Sequence, residues 1–132
     1  MRMIMGLFLI WHGLIHLIYA GHTRRLFELR PGLTWPDGSW LFSKLLGDEI
    51  TRATAMVLLA ASALGFVAGG LGLFFGQDWW RLAVMGEAIL SSVIYLTFWN
   101  GKCLALDQQG ALGILINLAL VVVSVWILRW PF

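Results

Sequence analysis

The chain has 132 residues, 60% of them Ala, Val, Ile, Leu, Met, Phe, Trp, Tyr or Cys before its 15 glycines are counted, and only 12% charged. Soluble domains hold about 45–50% apolar residues with glycine included, and about 25% charged ones. Seven acidic and nine basic side chains cannot cover the surface that a globule of this size exposes. That excludes a water-soluble enzyme and a disordered chain, and the net charge of +2 forms no basic patch for nucleic acid.

The expectation is an all-α, polytopic membrane protein: a four-transmembrane-helix bundle, one domain over residues 1–132, with a structured interfacial loop between its first two helices. The first span is 3–20, MIMGLFLIWHGLIHLIYA. Met1-Arg2 ahead of it imitates a signal peptide, but no small-x-small cleavage site follows and His12 and His16 interrupt the run, so the segment reads as retained. The loop 21–52 carries most of the charge and two turn signals, Arg30-Pro31-Gly32 and Trp35-Pro36-Asp37-Gly38. Within it, His22, Arg24 and Arg25 read as headgroup-facing anchors. Ser39–Leu46 reads as a short helix lying in the interface, capped by Asp37 or Ser39, with Trp40, Leu41, Phe42 and Leu45 toward lipid or the bundle. An early start of the second span is the equal alternative. Asp48 is expected to cap that span in either case.

The second span, 53–75, carries a ridge of small residues at Ala61, Gly65 and Gly69, which lets a neighbouring backbone approach closely and reads as packing within one bundle. The turn Gly76-Gln77-Asp78 leads into the third span, 82–99, and about ten residues around Asn100–Gly110 lead into the fourth, 111–128; links this short make neighbours antiparallel. Runs of about 18–23 residues are about 27–35 Å long, matching a hydrocarbon core about 30 Å thick, and in lipid the backbone must satisfy itself as helix. Trp79, Trp80, Trp99, Trp126 and Trp130 fall at the span ends, where indoles gather. The single cysteine, Cys103, excludes a disulfide scaffold, a thiolate metal cage and a Cys-ligated iron–sulfur cluster. Arg24, Arg25, Arg30, Lys44, Arg52 and Lys102 on the side of the first and third loops outnumber Arg2, Arg81 and Arg129 on the other, which favours cytoplasmic loops.

Chemistry in such a chain must come from the polar groups that a bilayer makes expensive, because these turn inward and find partners. They are His12 and His16 in the first span, Glu87, Ser91 and Ser92 in the third, and Asn117 in the fourth. Counted from the side of the termini at 1.5 Å per residue, His12 lies about 13 Å deep, Glu87 about 12 Å, Asn117 about 16 Å and Gly65 about 15 Å. A second layer about 18–20 Å deep holds His16, Ser91 and Ser62. The spacing of four puts His12 and His16 on one face, with Tyr19 further along it, and joins Glu87 to Ser91 likewise. One polar seam is expected, with His12 and His16 facing Glu87 and Ser91 and Asn117 closing it.

Four readings of that seam stay open. It is a structural pair fixing helix register, or a pocket for a quinone headgroup or lipid formed by His12, His16, Glu87, Ser91 and Asn117. It is a proton-coupled transporter working through Glu87, or a metal or haem site ligated by the histidines. Against the last, the segment Trp11-His12-Gly13-Leu14-Ile15-His16 lacks the glutamate of a His-Glu-x-x-His pattern. No catalytic residue is assigned, since the serines lie in helices without a nucleophile turn, and the chain reads as no enzyme by itself.

The order of segments resembles the DoxX-like group of small bacterial four-helix membrane proteins. The resemblance rests on Met5-Gly6-Leu7-Phe8-Leu9-Ile10 in the first span, the long polar loop, GFVAGGLGLFFG at Gly65–Gly76, Arg81 after the tight turn, and two further apolar spans. It implies a multi-pass protein of a bacterial or archaeal cytoplasmic membrane. It also implies an accessory role beside a redox enzyme, as for the group's subunit associated with thiosulfate:quinone oxidation. Members are drawn with cytoplasmic termini, opposite to the charge count, and no functional residue carries over. The partners expected are the lipid bilayer and a larger membrane complex or a second copy of the chain.

Overall fold

The computed structural model describes residues 1–129, with side chains as far as Trp126; the Arg129 side chain and Trp130 lie outside the described residues. The fold is all-helical, with no strand among the described residues. Four long helices, α1 (Arg2–Thr23), α3 (Asp48–Phe74), α4 (Trp80–Thr97) and α5 (Ala111–Arg129), are joined by a loop bearing the short α2 (Phe42–Leu46), a tight turn, and a loop bearing a 3-10 turn (Leu106–Gln109). Two of them, α1 and α3, are each long and apolar enough to cross a membrane.

The helices pack in the order α1–α3–α4–α5, and the glycines decide how closely. A Cβ on Gly13 would stand 2.9 Å from the Ala63 carbonyl, and one on Gly70 would stand 2.8 Å from the Gly6 carbonyl, so α1 and α3 meet almost backbone to backbone. The other side of α3 uses Gly65, Gly69 and Gly72 to receive Glu87, Val84 and the Trp79/Trp80 pair of α4. Gly65 and Gly69 of the small-residue ridge therefore serve α4, and Gly70 beside them serves α1.

Two apolar clusters fill the interior. Toward the termini, Leu9, Phe66, Leu73, Trp80, Val84, Ala88 and Leu120 pack together. Toward the long loop lie Ala20, Trp35, Ala55, Leu59, Ile94, Tyr95 and Phe98. The polar side chains His12, His16, Ser62, Ser91 and Asn117 are buried with them, none more than 3% exposed. The outward faces are the reverse: Trp11 on α1, Leu64 on α3, Leu82 on α4 and Leu115 on α5 are each 63–71% exposed.

The long loop is a folded cap. Trp35 is buried, its ring 5.4 Å from Tyr19 and 5.9 Å from Tyr95. Asp37 Oδ2 accepts hydrogen bonds from Arg25 Nη2 at 2.8 Å and Arg52 Nη1 at 2.9 Å, and Arg25 also donates to the Thr34 carbonyl at 2.7 Å. Arg25 is thus committed to the loop instead of facing outward as an anchor. His22 is fully buried, with Nδ1 3.2 Å from the Phe27 carbonyl. Arg24 and Arg25 both stay exposed.

The segment before the second span forms its own helix rather than starting α3 early, because Gly47 breaks the chain at φ 78°. Ser39 Oγ accepts the Phe42 N–H at 3.1 Å and donates to the Thr97 carbonyl at 2.8 Å, tying this helix to the end of α4. Trp40 Nε1–H donates to the Leu96 carbonyl at 2.8 Å, and Phe42 stacks on Phe98 at 4.6 Å; Leu45 stays 71% exposed. Asp48 lies inside the first turn of α3, behind Gly47 at the cap, and its Oδ1 accepts the Gly38 N–H at 3.0 Å, holding the loop rather than capping the helix.

Candidate functional site

The spacing of four along α1 does what helical geometry requires: His12 and His16 project from one face, their rings 5.1 Å apart and edge to face. His12 Nε2 is 3.0 Å from Asn117 Oδ1 on α5. Asn117 Nδ2 donates to Ser91 Oγ on α4 at 2.9 Å. Ser91 Oγ is 2.7 Å from His16 Nε2, and His16 Nδ1 is 3.0 Å from the His12 carbonyl. The four contacts close a ring across three helices.

The chemistry of the groups fixes the direction of every hydrogen. A carbonyl only accepts, so His16 Nδ1 carries hydrogen and donates to His12. In a neutral imidazole the other nitrogen then accepts, so Ser91 donates its hydroxyl hydrogen to His16 Nε2. Ser91 Oγ accepts from the Asn117 amide, whose oxygen accepts from His12 Nε2–H. With both imidazoles neutral, each of the four contacts pairs one donor with one acceptor. His12 and His16 are therefore opposite tautomers, one bearing hydrogen on Nε2 and the other on Nδ1.

Phe66 of α3 packs against both imidazoles, with ring centres 4.8 Å from His12 and 5.3 Å from His16. The side of the histidines that meets α3 is thus aromatic. Tyr95, one turn beyond Ser91, is buried with its ring 5.8 Å from His16. Gly110, just before α5, and Gly113 within it leave room for that ring; a Cβ on Gly113 would touch it at 3.4 Å.

Between α1, α4 and α5, a cleft of about 110 Å³ is lined by His12, His16, Tyr19, Tyr95, Asp107 and Ile116, among others. Its loop-side end adjoins a second hollow of about 230 Å³, which shares Tyr19 and Asp107 and reaches Arg30. Arg30 and Asp107 form an exposed ion pair of 3.3 Å at this mouth.

The structure thus brings together His12, His16, Ser91 and Asn117 of the expected seam. Glu87 stands elsewhere. Its carboxyl group fills the space that a Cβ on Gly65 would occupy, so it is turned to α3 and hydrogen-bonds neither histidine. The reason is local: Gly65 offers bare backbone to a long side chain, whereas the α3 surface that meets the histidines is Phe66. Glu87 Oε2 and Ser62 Oγ are both enclosed without a hydrogen-bond partner.

Sequence reasoning missed Tyr95 and Trp35. Tyr95 was recoverable, because Glu87, Ser91 and Tyr95 step along α4 at intervals of four; the folding of Trp35 back onto it had no sequence signal.

A bis-histidine metal or haem site does not fit this arrangement, because both His16 nitrogens are already engaged. Among the described residues no group of three or more His, Cys, Asp or Glu side chains is placed to hold an ion. Comparison with protein-family models, with curated proteins and with solved structures finds no match for this chain.

Proposed function

We propose that this chain is a four-span integral membrane protein whose cleft seats the polar headgroup of a hydrophobic molecule of the quinone or lipid class, serving as a binding or accessory subunit and not as an enzyme by itself. The membrane placement is supported by the inverted distribution of side chains. Leu, Val, Ile and Trp crowd the outer faces of all four long helices, while His, Ser and Asn are enclosed. Soluble monomers rarely expose apolar patches of more than a few hundred Å². The resemblance to the DoxX-like group points the same way, toward a bacterial or archaeal cytoplasmic membrane.

The observation that carries the binding reading is the cleft itself. Imidazole, phenol and carboxylate groups converge on one apolar hollow, the usual composition of a small-molecule site. Its volume of about 110 Å³ equals about three to four water molecules, enough for a small headgroup with its tail outside among the apolar helix faces. The ring's donors are consumed internally, so Tyr19 and Tyr95 are the side chains that meet the headgroup.

The test is titration of the full chain, purified in mild detergent, with a short-chain quinone. Saturable binding is expected, with affinity falling about tenfold or more when Gly113→Leu fills the cleft. Absence of saturable binding, together with no quinone or stoichiometric lipid in an organic extract, overturns the binding reading.

A further inference from the structure

Glu87 and Ser62 belong to a second buried polar place, at the α3–α4 interface and separate from the cleft. Ser62 is fully buried and its hydroxyl makes no well-formed hydrogen bond, although the Glu87 carboxyl group lies close enough to interact with it. The Glu87 side chain is half-buried, wedged against the bare backbone of Gly65, with Oε2 enclosed and unpartnered. Two buried oxygens on adjacent helices, near each other but without a well-formed hydrogen bond, are costly to leave so.

The surroundings restrict what can satisfy them. On α3 the ionisable groups are confined to its first turns, at Asp48, Glu49 and Arg52. On α4 the other charge is Arg81, six residues earlier and on a different face. On α5 the nearest polar group is Asn117, committed to the ring, and on α1 the histidines bond to Asn117 and Ser91. Among the described residues no cationic side chain pairs with Glu87. A metal cation would need more oxygens than one carboxylate and one hydroxyl, and mid-helix carbonyls are spent on the helix. A proton needs only one oxygen to hold it and one to accept its hydrogen bond.

We propose that Glu87, Ser62 and the notch at Gly65 form a proton-binding site, in which the carboxyl group takes up and releases one proton and, when loaded, donates a hydrogen bond toward the Ser62 hydroxyl. Glu87 is only half-buried, and Leu64 beside the notch on α3 and Leu90 about one turn from Glu87 on α4 are both exposed, so an apolar reagent reaches the carboxyl group from the lipid. The inference rests on the membrane placement proposed above but is independent of the cleft's ligand.

The experiment treats the full chain in lipid nanodiscs with dicyclohexylcarbodiimide across a pH series, read by intact mass and peptide mapping. This reagent needs a protonated carboxyl: the acid proton passes to a carbodiimide nitrogen while the carboxyl oxygen bonds to the central carbon. Carbonate-resistant association with lipid vesicles is scored first, so that failure of the membrane placement is recognised separately. One adduct mapping to Glu87 is expected, formed more slowly as pH rises, lost in Glu87→Gln and slowed several-fold at fixed pH in Ser62→Ala. A water-soluble carbodiimide is expected to modify loop acids such as Asp107 instead. Absence of the Glu87 adduct in the wild-type chain, a rate independent of pH, or protection by sodium ions overturns the proposal. Because the adduct is mapped on the wild type, the result does not depend on a variant that fails to fold.

Discussion

Ser91 and Glu87 stand one turn apart on α4, and their surroundings could hardly differ more. Ser91 belongs to a ring in which four hydrogen bonds link His12, Asn117, Ser91 and His16 and close on the His12 carbonyl. Glu87 lies against bare backbone with an enclosed oxygen that nothing answers. A closed ring across α1, α4 and α5 fixes the register of three helices and has little to offer a newcomer. An incomplete pair retains capacity for an exchangeable one. Burial of polar groups therefore serves two ends in this helix bundle, and completeness of the hydrogen bonding tells them apart.

The contrast is broken most sharply by substituting one member of each site. Asn117→Leu strands His12 Nε2–H and removes a donor to Ser91, at about 1–3 kcal/mol for each buried group left unpaired. Glu87→Leu removes an unpaired oxygen and is expected to be neutral or stabilising. Reversible unfolding of both variants in the same micelles checks this; equal destabilisation would erase the distinction.

Gly65 sharpens the comparison. A Cβ there collides with the Glu87 carboxyl group, so Gly65→Ala is expected to cost about 1–3 kcal/mol. In a Glu87→Ala background most of that cost should vanish, leaving a coupling of about 1–2 kcal/mol in a double-mutant cycle. Additive effects would mean that the notch does not hold the carboxyl.

The smallest effect is expected at the cleft mouth. Arg30 and Asp107 are about 60% exposed, and such pairs contribute about 0–1 kcal/mol. Asp107→Asn should leave stability within about 0.5 kcal/mol of wild type; a larger loss would assign Asp107 to the framework and not to the mouth.

Composition and periodicity were enough to anticipate four long helices and a polar seam in which His12, His16, Ser91 and Asn117 meet. The reason is that helix rise converts residue counts into depth, and polar groups in apolar runs must turn inward. The position of Glu87 was not legible. Four residues of helix separate it from Ser91 by only about 40° of rotation, and which neighbour a long side chain then reaches depends on whether the facing surface is a glycine or a phenylalanine. The loop was hidden for a different reason: the pairing of Arg25 and Arg52 with Asp37, 12 and 15 residues apart, arises from the path of the chain and has no periodic signature. The cleft, a space left by Gly110 and Gly113 around Tyr95, exists only once three helices have met.

The one-way sense of the hydrogen bonds around the ring has a consequence of its own. His16 Nδ1 is committed to a backbone carbonyl, so an extra proton on this residue has only Nε2 to occupy. Ser91 Oγ has two lone pairs, so once its own hydrogen swings away it accepts from both His16 Nε2–H and the Asn117 amide. Asn117 and His12 then keep their hydrogens where they are. Rotation of a single hydroxyl is all the ring needs to receive that proton, and the register of the three helices is left standing.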